Sequence, residues 1–293
     1  MHSEIPFQNI LIVGLGLIGG SILHSLVSKS FNGSLYGLDI DPLAVDEAFK
    51  KNLITNRDKN IPKNLSNLMV VYAVPTLSIN KAIKEFNLDL EYKDAVFTDT
   101  CSVKASVLEG IGEINTELLN KFVLSHPIAG SEKSGLSASS SRLFKDRLTI
   151  ICPHKNNHEV DIKRVENFWG GLGSITKRLP AEDHDALFAK TSHLPHVISY
   201  ALMHSIFEDL KGNAFLHSGG SLEDYTRIAS SDPVMWKDIM IANEKSILES
   251  INGFKKSLDI LTALIVSKDP KDLVNFFSSV KDSRDRLLPD NKD

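Results

Sequence analysis

The sequence predicts an α/β half over residues 1–179 and an all-α half over residues 180–293. Three observations carry that expectation. Short apolar runs alternate with helix-length amphipathic stretches from residue 9 to about 179. A glycine-rich turn joins the first run to the first such stretch. After Pro180 the strand pattern stops and apolar residues recur at helical spacing. Alternation of the first kind favours a mostly parallel sheet covered by helices on both faces.

The predicted strands are residues 9–13, 34–38, 68–74, 95–99, 122–125, 149–152 and 174–179. Each is rich in β-branched or apolar residues and bounded by Gly, Pro or Asn. Helix-length segments over residues 18–28, 42–50 and 160–169 lie between them. In the second half Leu194, Ile198, Leu202 and Ile206 share a helical face, and an apolar stripe runs from Trp236 through Ile247, Ile251 and Leu258 to Ile265, read as one long helix. Asp232-Pro233 and Asp269-Pro270 each offer a capping carboxylate followed by a proline at the first helical position. The long stripe needs a cover, either an ordinary helical core or a second subunit. The charged tail after Leu288 is expected to fray.

Composition narrows the function classes. The 293 residues are 42% hydrophobic and 24% charged, which excludes a disordered or fibrous chain. With 33 Lys and Arg against 37 Asp and Glu, the net charge is −4, so nucleic acid and anionic membranes are poor partners. Cys101 and Cys152 form no CxxC, against a zinc ribbon or redox dithiol. The apolar, glycine-interrupted stretch over residues 10–20 is too short to span a bilayer, and Glu4 stands where a secretion signal would be basic. A cytoplasmic location is expected.

The first predicted strand runs into Gly14-Leu15-Gly16-Leu17-Ile18-Gly19, a GxGxxG. In such a loop the first glycine allows a tight turn, the second leaves room for a pyrophosphate and the third lets the helix lie close to the strand. The helix start, at Leu17 and Ile18, presents free N–H groups to a diphosphate. The second strand ends in Asp39, whose carboxylate suits two ribose hydroxyls and repels a 2′-phosphate. NAD is therefore preferred over NADP, with Val74 at the end of the third strand completing the cofactor set.

Chemistry at a nicotinamide needs a residue that takes a proton while hydride leaves. His126, in Ser125-His126-Pro127-Ile128-Ala129-Gly130, follows a strand directly, and catalytic groups gather at such carboxyl ends. Ser102 lies just beyond the preceding strand. His193 and His196 form an HxxH, but Pro195 stands between them and no third ligand completes a zinc site, so no metal is expected. His154 and His158 read as exposed loop residues. Arg227, in Asp224-Tyr225-Thr226-Arg227, is either a surface residue or a bidentate clamp for a carboxylate.

Together these residues resemble the prephenate/arogenate dehydrogenase family of tyrosine biosynthesis. Three motifs carry the resemblance: the glycine loop with Asp39; the segment from Asp99 through Ser102 to Lys104, leading to His126 and on to Ser131-Glu132; and Ser192-His193-Leu194-Pro195-His196 with Asp224, Arg227 and Asp232-Pro233-Val234-Met235-Trp236. The resemblance implies a Rossmann-type NAD-binding first half and a helical second half that makes a homodimer. It also implies NAD-dependent oxidative decarboxylation of prephenate, with His126 as base and Ser102 beside it. Arg227, His196, Glu132, Ser131 and Asp224 then fall on the substrate side. Some relatives carry a fused chorismate mutase or a C-terminal ACT domain; with about 25 residues after Pro270, neither is expected here.

Two rivals differ in testable ways. A β-hydroxyacid dehydrogenase shares the two-half plan but uses a lysine base where this chain has Ser192-His193-Leu194-Pro195-His196. A non-catalytic NAD sensor keeps the glycine loop and needs neither His126 nor Arg227. Arogenate carries an amine where prephenate has a keto group, and the sequence leaves that choice open.

Overall fold

Residues Asn9–Val13 form β1 because their apolar side chains divide between two covered faces, Ile10 and Ile12 on one and Leu11 and Val13 on the other. In the computed structural model β1 is central in a four-stranded sheet with β2 (Ser34–Leu38), β3 (Leu68–Tyr72) and β4 (Val96–Asp99). The order is β2-β1-β3-β4 and every pairing is parallel. Helices α1 (Leu17–Ser28), α2 (Pro42–Lys50) and α3 (Ile79–Phe86) fall between successive strands, and α4 (Ala105–Ile114) and α5 (Thr116–Lys121) follow β4. The chain steps from β1 out to β2 on one side and then crosses back over β1 to β3 on the other, so the crevice at the carboxyl end of β1 is the ligand position of such sheets. The structure describes residues 4–86, 94–130, 133–210 and 219–287. Ser131, Glu132 and the tail from Leu288 lie outside them.

A second, three-stranded sheet has the order β5 (Leu124–Pro127), β6 (Leu148–Cys152), β7 (Ile175–Arg178). Here β5 pairs antiparallel with β6, a departure from the mostly parallel pattern expected, while β6 and β7 are parallel around α6 (Glu159–Leu172). A bridge from Phe97 to Phe122 continues β4 toward β5, and Ser125 N–H donates to Asp99 Oδ1 at 3.1 Å. Both strands therefore deliver their carboxyl ends to one place.

Beyond β7 no strand occurs among the described residues. Helix α7 (Ala181–Phe188) passes through a π-helical turn (Ala189–His193) into α8 (Leu194–Leu210), followed by α9 (Gly220–Thr226) and α10 (Pro233–Ala242). Asp232 caps α10 as expected, accepting from Val234 and Met235 N–H at 2.8 and 2.9 Å. The stripe from Trp236 to Ile265 is not one helix. It breaks at Asn243, whose side chain donates to Asp185 O at 2.9 Å and meets His193 Nδ1 at 3.2 Å. His154 also differs from expectation. It is half-buried, with Nε2 3.0 Å from Phe122 O, and only His158 is exposed.

The chain divides into two compact units, Met1–Glu244 and Lys245–Asp293. The second comprises most of α11 (Glu244–Ser267) and all of α12 (Pro270–Leu287), with Asp269 capping the latter at 2.8 Å from Lys271 N–H. Ile260, Ile265, Val266, Val274, Phe277 and Val280 are exposed along these two helices. Among the described residues no helix is long and apolar enough to cross a membrane.

Candidate functional site

The glycine loop is shaped by contacts that only glycine tolerates. Gly14 has φ +98°, and a β-carbon there would stand 2.4 Å from Ala73 O. A β-carbon on Gly19 would stand 2.0 Å from Gly14 O, so α1 lies directly on the turn. Gly16 is different. A β-carbon there meets nothing within 4 Å, and no side chain caps the helix that Gly16 opens. That leaves open space over unpaired N–H groups at Leu17 and Ile18, which suits a diphosphate. Val74 is half-buried beside Gly14.

Asp39 is fastened at the end of β2. Its Oδ2 accepts from Leu15 N–H at 2.7 Å and its Oδ1 from Asp41 N–H at 2.9 Å. Each oxygen keeps a second lone pair for a ribose hydroxyl. The same carboxylate therefore braces the glycine loop, a task the motif did not disclose. These residues fit a dinucleotide.

The ends of β4 and β5 are tied together by Lys104, which is fully buried. Its Nζ pairs with Asp99 and donates to Ser125 O at 2.7 Å. Ser102, half-buried, lies in the loop between Asp99 and Lys104, and His126 follows Ser125 directly. Lys104 thus holds in one region the two loops that carry them. His126 Nδ1 is 2.8 Å from His184 Nε2, and its ring centroid is 5.0 Å from that of Phe188. Burial above all pushes the His126 pKa well below its ordinary value, with His184, the Lys104 ammonium and His193 adding to the lowering. The ring is therefore neutral at pH 7, as a base must be.

His193 and His196 end on one tryptophan rather than on a metal. His193 is buried, edge-on to Trp236 at 6.0 Å, and His196 stacks on the same ring at 3.8 Å. Burial lowers both pKa values, that of His193 to about 4. Arg227 opens the short turn Arg227–Ser230 after α9, and its charge adds to the lowering of His196. Arg227 is exposed, so its guanidinium is available to an anion. Asp224 is exposed on α9 and makes no ion pair with Arg227 among the described residues. No cluster of three or more metal-ligating side chains occurs among those residues.

His184, Asp185 and Asn243 are not among the sequence-predicted site residues, and Trp236 figured there as part of the apolar stripe and of the Asp232–Trp236 motif with no site role of its own. The adjacent His184-Asp185 pair just after β7 was the available signal. Both are buried, and the Asp185 carboxylate accepts from Lys104 and Ala105 N–H at 2.9 and 2.8 Å.

Family models match nearly the whole chain. Residues 23–177 match "Prephenate dehydrogenase, nucleotide-binding domain" and residues 180–279 match "Prephenate dehydrogenase, dimerization domain". A cyclohexadienyl dehydrogenase of Zymomonas mobilis is 32% identical over 97% of both chains. The prephenate dehydrogenase of Bacillus subtilis is 29% identical over 96% of this chain and 76% of its own length. Among solved structures, a prephenate dehydrogenase from A. aeolicus in complex with hydroxyphenyl propionate and NAD⁺ is 34% identical with a TM-score of 0.87, covering 96% of this chain and 98% of that one.

Proposed function

The chain belongs to the prephenate dehydrogenase family, and on that premise we propose that it catalyses the NAD-dependent oxidative decarboxylation of prephenate to 4-hydroxyphenylpyruvate. The observation that carries the reading is His126. It stands at the carboxyl end of β5, neutral, with Nδ1 engaged by His184. Bound over Gly14, Gly16, Gly19 and Asp39, NAD⁺ supplies the hydride acceptor. The side chains of this chain then act on the substrate's oxygens. Nε2 of His126 takes the 4-hydroxyl proton as the C4 hydrogen departs with its electron pair. That proton returns to the oxygen when the ring carboxylate leaves as CO₂ and the ring becomes aromatic, so the histidine ends as it began. General-base assistance of this kind is worth about 10²–10⁴-fold.

Ser102 orients the hydroxyl beside His126. Arg227 pairs with a substrate carboxylate, and His196, held flat by Trp236, lines the same end. Ser131, Glu132 and Asp224 complete the substrate side in this reading. The cyclohexadienyl dehydrogenase likeness supports a second reading, in which arogenate is also accepted.

We place the domain boundary at residues 179–180, supported by the two model matches on either side of it. We also assign a homodimer through the C-terminal helices. The dimerization-domain match and the exposed apolar side chains of α11 and α12 support it. A cytoplasmic location agrees with two free, buried cysteines. The deciding experiment is NADH or NADPH formation by the purified chain with prephenate and with arogenate, each against NAD⁺ and NADP⁺. Turnover of prephenate with NAD⁺ is expected, and no turnover of either substrate overturns the reading. Light scattering on the same sample gives the mass, and a monomer overturns the dimer.

A further inference from the structure

We propose that His184 and Asp185 are positioning residues for His126: the series Asp185–His184–His126 fixes which nitrogen of His126 carries the proton and leaves Nε2 as the acceptor. The proposal rests on the reading of His126 as the base. Three N–H groups converge on the Asp185 carboxylate: Lys104 N–H at 2.9 Å, Ala105 N–H at 2.8 Å and His184 Nδ1 at 2.8 Å. A carboxylate only accepts, so His184 Nδ1 donates.

The rest follows by elimination. A neutral imidazole with its proton on Nδ1 has a bare Nε2, which accepts. His184 Nε2 is 2.8 Å from His126 Nδ1, so His126 donates from Nδ1 and its own Nε2 is bare. Among the described residues that Nε2 makes no hydrogen bond, and His126 as a residue is only partly buried. Burial keeps His184 neutral against the opposing pull of Asp185, as the elimination requires.

The series is also held rigidly. Helix α4 has no cap of its own, since Lys104 occupies the capping position without a side-chain bond. Asp185, reaching across from α7, supplies that cap and is thereby fixed by two backbone donors. Phe188 covers the His184 ring at 4.4 Å between centroids, and the Asn243 amide holds the Asp185 carbonyl at 2.9 Å. A histidine serving only as filler here would need neither nitrogen satisfied, and both are.

The test reads the tautomer and the kinetics together. In ¹⁵N-histidine-labelled protein at pH 7, His126 is expected to show a pyridine-type Nε2 and a pyrrole-type Nδ1. In Asp185→Asn the side-chain amide can donate to His184 Nδ1, which inverts both rings and puts a proton on the working nitrogen. There kcat should fall at least about 100-fold with KM within about threefold. A second pair leaves the helix cap in place, so loss of folding cannot mask the result. His184→Gln keeps an acceptor for His126 Nδ1–H and should retain kcat within about tenfold, whereas His184→Leu should lose at least about 100-fold. Equal kcat in the Gln and Leu variants overturns the proposal, as does a protonated Nε2 in the active unmodified protein. Absence of turnover in the unmodified protein overturns the assigned activity instead, and the tautomer measurement still decides the relay.

Discussion

Acidification from pH 7 to pH 5 should destabilise the Met1–Glu244 unit by about 2 kcal/mol through His193 alone. The ring is 1% exposed, between the edge of Trp236 and the Asn243 amide, and burial pushes its pKa from 6.5 to about 4. Asp185 opposes that shift without cancelling it. The sign follows from which state binds the proton. Below pH 6.5 the unfolded chain takes one up and the folded chain does not, so stability is full above that value and falls as pH drops toward 4. Over the 1.5 pH units from 6.5 to 5 the loss accrues at about 1.4 kcal/mol per unit, which gives about 2 kcal/mol. His126, His184 and His196 are lowered too and add with the same sign. Urea unfolding followed by tryptophan fluorescence reads this unit, because both tryptophans of the chain, Trp169 and Trp236, lie in it. The comparison is the pH 7 minus pH 5 difference in the unmodified protein and in His193→Gln. The packing cost of the substitution cancels in that difference. The variant's acid loss should be smaller by about 2 kcal/mol, and an equal loss in both proteins refutes a neutral, buried His193.

Three further outcomes are expected. His126→Asn should lower kcat by about 10²–10⁴-fold and leave KM little changed, and the acid limb of kcat/KM in the unmodified protein should lie below pH 6.5 because burial and His184 depress the His126 pKa. A limb at or above 6.5 points to another base. Arg227→Ala should weaken prephenate binding by about 2 kcal/mol, about 30-fold in KM, and Arg227→Lys by less, since an ammonium cannot form the bidentate fork. Unchanged KM in both removes Arg227 from the site, and NAD⁺ affinity serves as the control. Asp39→Ser with Ile40→Arg should raise kcat/KM for NADP⁺, because Ile40 is 71% exposed and a cation there has room to meet a 2′-phosphate. Equal use of both cofactors by the unmodified protein defeats that assignment.

What the sequence disclosed was whatever local chemistry decides. The strands at 9–13 and 34–38 and the helix at 42–50 lie where expected, because Gly14, Gly33 and the Asp41-Pro42 cap punctuate them. The glycine loop was legible because its GxGxxG spacing is written in six consecutive residues, although the contact that requires Gly14 comes from Ala73 at the end of β3 and only Gly19 answers to its own strand and turn. The histidine cluster was not legible, since its members are separated by up to 58 positions along their bonds. Glu182, Asp183, His184 and Asp185 are four polar residues in a row, and such a run reads in sequence as a solvated first turn of a helix. Only the docking of α7 on the start of α4 makes the last two of them a cap and a ring partner. The break at Asn243 was hidden likewise, because an asparagine inside an apolar stripe shows no sign that its amide is committed to Asp185 and His193.

That concealment has a physical reason that also bears on function. An imidazole held neutral by burial contributes nothing local that propensity or periodicity can register, and it weakens the folded state in acid. A chain under selection for stability alone would fill the space beside Phe188 and Trp236 with apolar side chains, as it does beneath the sheet at Phe97, Phe122 and Tyr72. Here four histidines with lowered pKa values are linked by ring contacts and hydrogen bonds around one aspartate. The burial that makes the unit acid-sensitive is the same burial that keeps His126 unprotonated and ready to accept a proton. Acid lability and base competence therefore have one cause, and substitutions at His193 that relieve the first should leave the second to the Asp185–His184 pair.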